Sequence, residues 1–153
     1  MQTLEPLLAD HPFFRGLTQS DIQLLTGCAK NVRFEPGQTI YREGEDADQF
    51  YLIRDGKVAI EIFIPERGSA PILTLGTGDT LGWAWLIPPY KWRFDARAIE
   101  MTRAFALDGK CLRGKCDDDP RLGYELLKRI AGDIVELLDV TRLQLLDVYG
   151  VRD

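Results

Sequence analysis

The sequence predicts a mainly β fold of the α+β class. It comprises short N-terminal helices, an antiparallel, jelly-roll-like β-roll and a long C-terminal helix. Three observations predict it. Apolar residues before position 30 have helical spacing, residues 30–108 alternate between apolar and polar with frequent turn signals, and residues 117–149 return to helical spacing. At 153 residues the chain is the size of one domain, so we expect a single domain over 1–153, with helices in 1–29, a roll in 30–108 and a helix in 117–149.

Two short helices are expected at the N-terminus. Thr3 is predicted to cap the first, and Thr18 the second, with Asp21 at its third helical position. The apolar spacing of the second helix continues to Ala29. His11, the single histidine of the sequence, lies between the two helices and is interpreted as a local cap or a packed ring.

The middle of the chain is predicted to form strands. Residues 50–53 and 58–64 alternate regularly between two faces, as strands do. Asp55-Gly56 between them predicts a two-residue hairpin, because glycine tolerates positive φ. Residues 72–75 and 105–108 indicate two further strands. Short strands separated by turns at this density indicate an antiparallel roll or barrel.

The C-terminal region predicts one long helix that starts near Pro120 and stops at Gly150. About 30 helical residues span about 45 Å, which exceeds the width of the roll, so we expect the helix to pair with a second copy of itself. The alternative is that the helix folds back entirely on its own domain. The residues expected at the dimer contact are Leu126, Ile130, Ile134, Leu137, Leu138, Thr141 and Leu145.

Composition narrows the functional classes. A net charge of −5 and a pI near 5.0 argue against a surface built for nucleic-acid phosphates. The N-terminus lacks a signal-peptide pattern, and no apolar run approaches the about 20 residues that span a bilayer, so we expect a cytoplasmic protein with no membrane contact. Cys28, Cys111 and Cys116 are interpreted as reduced thiols, and we expect no metal site. No serine or cysteine has an activating base in a recognisable motif, so we expect no enzymatic activity.

Residues 75–98, LGTGDTLGWAWLIPPYKWRFDARA, combine a glycine-rich turn with three tryptophans. The last glycine of GTGDTLG lies one residue too late for a dinucleotide-binding fingerprint, and strand-like residues follow it. The segment is therefore not predicted to be a dinucleotide or P-loop site.

The order of helices, roll and long helix, together with the turn residues of the roll, resembles the cyclic nucleotide-binding domain family. The resemblance runs from about His11 to Val148. It implies that a ligand bound in the roll moves the C-terminal helix, which signals to an attached effector protein. Bacterial relatives carry a helix-turn-helix after that helix, and because this sequence ends at Asp153 we expect no direct DNA binding. The matching residues are Phe13, Phe14, Leu17, Phe34, Pro36, Gly37, Ile40, Glu43, Gly44, Asp48, Tyr51, Leu52, Ile53, Gly56, Val58, Gly78, Asp79 and Gly82.

The ligand cassette departs from the family pattern. The resemblance implies a glutamate that binds the ribose, and an arginine and the first amides of a short helix that hold the cyclic phosphate. In this sequence Trp83 replaces the glutamate, and Asp95 is expected to face the phosphate. Alternation places Arg93 on the opposite face unless the loop is one residue shorter. The cassette positions are Gly82, Trp83, Ala84, Trp85, Leu86, Arg93, Phe94, Asp95 and Ala96.

Three interpretations of the pocket follow. The aromatic residues fill it and leave a vestigial site, they line a site for a different flat, apolar or cationic ligand, or a cyclic nucleotide (cAMP or cGMP) binds in a modified way. The filled pocket is preferred, with Trp83 in the ribose volume. The expected function is a regulatory sensor module with no certain cofactor, and the alternative is a constitutive dimeric interaction protein.

Overall fold

The computed structural model describes residues 4–150. Four α-helices and one 3-10 turn are found in that range: α1 Glu5–Ala9, the 3-10 turn Pro12–Phe14, α2 Gln19–Thr26, α3 Gly109–Asp118 and α4 Pro120–Val148. The strands in the same range are β1 Ala29–Phe34, β2 Thr39–Tyr41, β3 Gln49–Asp55, β4 Lys57–Ile64, β5 Gly68–Gly76, β6 Thr80–Leu81, β7 Asp95–Ala98 and β8 Thr102–Asp108.

Within residues 4–150 the strands form two four-stranded sheets, in the orders β1-β8-β3-β6 and β2-β7-β4-β5. Neighbouring strands are antiparallel, which confirms the predicted roll. The predicted Asp55-Gly56 hairpin is wrong, because β3 and β4 lie in different sheets. Gly56, at φ 115°, instead carries the chain from one sheet to the other; a Cβ there would lie 2.4 Å from Oγ1 of Thr102.

Two short N-terminal helices form as predicted, but the second ends at Thr26 and does not reach Ala29. Oγ1 of Thr18 accepts a hydrogen bond from the Asp21 amide at 3.1 Å, and Oδ2 of Asp21 accepts from the Thr18 amide, which confirms the predicted cap. Ala29 belongs to β1 and not to the helix. The predicted cap at Thr3 lies outside the described residues.

His11 caps the 3-10 turn and is also a packed ring, so both parts of its interpretation hold. Its Nδ1 accepts from the Phe13 amide at 3.2 Å, so Nε2 carries the proton and donates to the Ile53 carbonyl at 3.0 Å. Burial lowers the pKa of His11.

The C-terminal region contains two helices where the sequence predicts one. The long helix begins at Pro120 rather than 117, because Oδ1 of Asp119 caps it by accepting from the Leu122 amide. Helix α3 precedes it, and its polar, glycine-containing sequence, GKCLRGKCDD, gives no apolar periodicity from which to predict a helix.

The prediction of reduced thiols is wrong for two of the three cysteines. A disulfide joins Cys28, just before β1, to Cys111 in α3, although 83 residues separate them in sequence. Only the folded chain brings them together. Cys116 is a free thiol, and burial raises its pKa. Among residues 4–150, no helix combines the length and apolar character needed to cross a membrane.

Two apolar cores lie on opposite sides of the first sheet. One, between that sheet and the helices, contains Phe50, Trp85 and Leu122. The other, inside the roll, contains Ile53, Val58 and Trp92. The segment 82–94 therefore contributes one fully or nearly fully buried tryptophan to each core, and the half-buried Trp83 packs against the helix-side core.

Candidate ligand cavity

A cavity of about 270 Å³ lies between the second sheet, the segment 82–94 and helix α4. Strands β2, β4 and β5 contribute Tyr41, Ile60 and Leu73 to its wall, and α4 contributes residues between Ile130 and Val140. The cavity is slightly smaller than the range of about 300–1,000 Å³ that is usual for ligand sites, so it suits a small ligand.

Gly82 and Trp92 form the fixed part of the cavity. Gly82 has φ 83°, and a Cβ on it would lie 2.2 Å from Cζ3 of Trp92. The indole of Trp92 stacks on the ring of Tyr41, with centroids 3.6 Å apart, and is nearly fully buried. Any side chain at position 82 would displace this stacked pair.

The segment after Gly82 forms turns. The Leu86 amide donates to the Trp83 carbonyl at 3.0 Å and the Tyr90 amide to the Ile87 carbonyl at 2.9 Å, and residues 82–94 contain no helix. The helix amides that the family resemblance implies for phosphate binding are therefore not presented here.

Trp83 lines the cavity without filling it. It is half-buried, and its ring meets that of Phe94 edge to face, with centroids 6.3 Å apart. This placement differs from the preferred interpretation, in which Trp83 fills the ribose volume, because the rings of Trp83 and Phe94 form part of the cavity wall.

The other cassette residues divide between the cavity and the cores. Ala84 lines the cavity, whereas Trp85 is fully buried between the sheet and the helices, with its ring centroid 5.5 Å from that of Phe50. Leu86 packs beside Trp85, and Ala96 is buried within the roll. The sequence groups these residues as one site, but only part of the group faces the ligand space.

Arg93 and Asp95 have the reverse of their predicted orientations. Strand β7 begins at Asp95, so Arg93 precedes the alternating region and lines the cavity. Asp95 is not among the cavity-lining residues, and its Oδ1 accepts from the Glu43 amide at 2.7 Å. Asp95 therefore does not line the cavity, contrary to the prediction that it would face a phosphate there and repel it.

Three carboxylates lie on the cavity wall, and two of them, Asp133 and Glu136 on α4, were missed from the sequence. The third, Asp79 in the turn before β6, was identified from the sequence only as a residue that matches the family. Thr80 Oγ1 donates to Oδ2 of Asp133 at 2.6 Å. Burial, and then the nearby charges of Glu136 and Asp79, raise the pKa of Asp133. The available signal was helical spacing, since Asp133 lies three residues after Ile130 and four before Leu137, and Glu136 lies three residues after Asp133.

Helix α4 has two different faces. Its inner face packs Leu126 and Ile130, only 3% and 2% exposed, into the core of its own domain, and Leu137 lines the cavity. These three predicted dimer residues are therefore engaged within the monomer. Of the remainder, Ile134 is half-buried, Thr141 is exposed, and Leu138 and Leu145 are 65% and 54% exposed.

Comparison with known proteins agrees with this architecture. The family model of the cyclic nucleotide-binding domain matches residues 31–119. The chain belongs to the cyclic nucleotide-binding domain family. The match includes both sheets and the whole of the segment 82–94.

Individual relatives cover the chain to different extents. The CRP-like cAMP-activated global transcriptional regulator of Mycobacterium tuberculosis is 30% identical over 84% of this chain and 57% of its own length. The cGMP-dependent protein kinase of Toxoplasma gondii is 30% identical over 86% of this chain and 11% of its own length. A crystal structure of a Geobacter metallireducens protein named for cyclic-nucleotide binding is 25% identical, has a TM-score of 0.78, and matches 90% of this chain and 99% of that one. The chain thus spans 57% and 11% of the length of these two curated relatives.

Proposed function

We propose that the chain is a small-molecule sensor module in which a ligand bound in the roll cavity repositions α4. The observation that carries this proposal is that α4 itself forms one wall of the cavity, through Ile130, Asp133, Glu136, Leu137 and Val140. A ligand in that space contacts the roll and the helix at once. Its binding energy therefore depends on where the helix lies, which is the condition for coupling.

Two hydrogen bonds join the C-terminal half of the helix to the roll. Thr80 in β6 binds Asp133, and Nε2 of Gln144 donates to the Ile72 carbonyl in β5 at 2.8 Å. Both bonds lie beyond the strongly buried turns of α4 at Leu126 and Ile130. A ligand that competes for Asp133 would weaken its hydrogen bond with Thr80 and so weaken the contact between the C-terminal half of the helix and the roll.

A cyclic nucleotide is not the ligand that this cavity favours. Trp83 lacks the ribose acceptor, and the segment 82–94 presents turns and no helix N-terminus to a phosphate. Each missing charge-assisted contact is worth about 1.5–3 kcal/mol. We expect cAMP and cGMP to bind weakly or not at all.

We further propose a homodimer through the outer face of α4. Apolar or small residues recur there at alternating intervals of four and three, the spacing of a coiled-coil seam. This outer face comprises Leu127, Ala131, Ile134, Leu138, Thr141, Leu145 and Val148. Ile134 is half-buried against the core of its own domain, and the other six residues are exposed, which supports a partner helix. The length argument from the sequence does not support the dimer, because Gln144, near the end of α4, still donates to the Ile72 carbonyl of the roll.

The alternative is a constitutive dimeric interaction protein that senses nothing. The cavity favours the sensor, because a protein with no ligand gains nothing from unfilled apolar space beside its signalling helix. Four statements stay predictions: that the chain acts on a protein effector, that it has no enzymatic activity, that it does not bind DNA directly, and that it is cytoplasmic. The disulfide does not support the cytoplasmic location.

The test combines thermal shift with hydrogen–deuterium exchange. Cyclic AMP, cyclic GMP and a panel of small metabolites are screened for a rise in Tm, and any hit is examined by exchange over residues 120–148. The sensor proposal expects exchange in 133–148 to change. Leu137→Trp, which fills the cavity, is the matched control and should abolish the response. A ligand that raises Tm without changing exchange in the helix would refute coupling.

A further inference from the structure

The cavity wall carries more negative than positive charge. Among the described residues that line it, Asp79, Asp133 and Glu136 carry carboxylates and Arg93 alone carries a cationic group. Arg93 is exposed as a residue, and no ion pair links it to any of the three. The wall therefore repels an anion and attracts a cation.

The carboxylates lie on two sides of the space. Asp133 and Glu136 are one helical turn apart on α4, while Asp79 belongs to the turn before β6. Asp133 uses Oδ2 to bind Thr80, and Asp79 uses Oδ2 to accept from the Gly76 amide at 2.8 Å. A carboxylate has two oxygens and room for about four hydrogen bonds, so both groups retain acceptor capacity.

The rest of the lining is aromatic and aliphatic. The rings of Trp83 and Phe94 lie edge to face on the side formed by the segment 82–94, and the stacked Trp92 and Tyr41 lie deeper. Aromatic faces attract cations as well as apolar groups, and tryptophan does so most strongly. Rings and carboxylates on one small cavity are the combination that recognises an organic ammonium group.

We propose that this cavity binds a small organic cation, a flat or apolar body that carries one ammonium group, with the apolar body against Trp83 and Phe94 and the ammonium group beside Asp133 and Glu136. The inference rests on the proposed function only in taking the cavity to be the ligand site. A bare metal ion does not fit, because within residues 4–150 no group of three or more carboxylate, histidine or cysteine side chains is placed to hold one.

The electrostatics of Asp133 support the proposal independently of the aromatic rings. Burial and the acidic neighbours raise its pKa although the hydrogen bond from Thr80 acts in the opposite direction, so that bond compensates the negative charge only in part. An ammonium group would supply further compensation. It would also compete with Thr80 for Asp133, which connects ligand binding to the contact that holds α4 on the roll.

The experiment uses three compounds that share a benzene ring and differ in charge: phenethylamine, 2-phenylethanol and phenylacetate. None contains an indole, so the fluorescence of Trp83 and Trp92 reports binding, and calorimetry gives Kd at neutral pH. We expect phenethylamine to bind at least about tenfold more tightly than phenylacetate, with 2-phenylethanol between them. Cyclic AMP is measured alongside.

The matched variants remove charge without changing shape. Asp133→Asn combined with Glu136→Gln should weaken phenethylamine at least about fivefold and leave 2-phenylethanol unchanged. Asp139→Asn removes one charge from α4 outside the cavity and should leave all three affinities unchanged. Asparagine at 133 can still accept from Thr80, so the double variant is expected to fold.

Several results would overturn the inference. They are phenylacetate or cyclic AMP binding as tightly as phenethylamine, no binding of any of the three compounds at millimolar concentration, or an unchanged phenethylamine affinity in the double variant. Failure of the proposed function looks different, since phenethylamine would then bind in the expected order and leave exchange of residues 133–148 unaltered. Conversely, if cyclic AMP binds tightly and alters the exchange of residues 133–148, the sensor proposal holds and the proposal that the ligand is an organic cation is refuted.

Discussion

The inner and outer faces of α4 are nearly equal in apolar content but different in what surrounds them. Leu126 and Ile130 on the inner face are buried in their own domain, and Leu137 borders the cavity. On the outer face, Leu138 and Leu145 are more than half exposed. One amphipathic helix can therefore carry two apolar stripes, one that folds the monomer and one that is available to a partner.

Truncation of the inner stripe should have the largest effect. Leu126→Ala creates a cavity in the helix-side core and should lower the free energy of unfolding by about 2–5 kcal/mol. Leu127→Ala, the adjacent residue on the outer face, is the matched control and should cost less than about 1 kcal/mol within a monomer. Urea denaturation at low protein concentration measures both, and equal losses would erase the distinction between the faces.

Charge on the outer stripe should separate subunits without unfolding them. Leu138→Asp combined with Leu145→Asp, at two residues that are more than half exposed, places two carboxylates on the proposed dimer seam, and light scattering should show the mass fall from dimer to monomer. The unfolding transition should persist. Gln144→Ala, on the inner face, serves as the control and should remain dimeric. A monomeric parent protein would contradict the proposed seam.

Trp83→Glu tests the cavity wall that faces the inner stripe. Because Trp83 is half-buried beside open space, the charge should retain access to water, and we expect a loss of about 1 kcal/mol or less. Trp85→Glu, two residues later in the closed core, should cost several kcal/mol. Guanidinium denaturation of the two variants side by side gives the comparison, and equal large losses would indicate a closed pocket.

The smallest effect is expected from Asp133→Asn, which tests the half-buried charge on the inner face of α4 whose pKa is raised. The pKa of Asp133 is higher in the folded protein than in the unfolded chain, where it is about 4. Ionisation of Asp133 therefore lowers the free energy of unfolding as the pH rises from about 4 to the pKa of the folded state, and this loss remains at higher pH. The variant should be slightly more stable than the parent at neutral pH and equal to it below pH about 4. Thermal unfolding across that range measures the difference; a variant less stable at pH 7 would contradict it.

The sequence predicts most of the fold because its signals are local. Alternation located β3 and β4, the capping pair Thr18 and Asp21 located α2, and helical spacing located α4. Each depends on residues a few positions apart. The same locality explains the errors: the Asp55-Gly56 turn is real, but whether its flanking strands pair depends on other strands that compete for them.

The candidate site was predicted less completely, for a related reason. The segment 82–94 was identified by its glycine and tryptophans. Its turn geometry, which the sequence did not predict, places Trp83 at the cavity and Trp85 in the core. Arg93 lines the cavity and Asp95 does not, which is the reverse of the prediction. Arg93 lies before the first residue of β7, where strand alternation does not apply, and no local signal in the sequence marks that start.

The order of elements, the family and the helical apolar spacing of α4 could be read from the sequence, because these depend on residue type and spacing along the chain. The tertiary structure was needed to show which apolar residues of α4 turn inward, that Asp79, Asp133 and Glu136 meet at one cavity, and that Cys28 reaches Cys111. The physical reason is that these contacts join residues about 50 to 80 positions apart. Their distances are set by how the sheets and helices pack against one another, which no short stretch of sequence encodes.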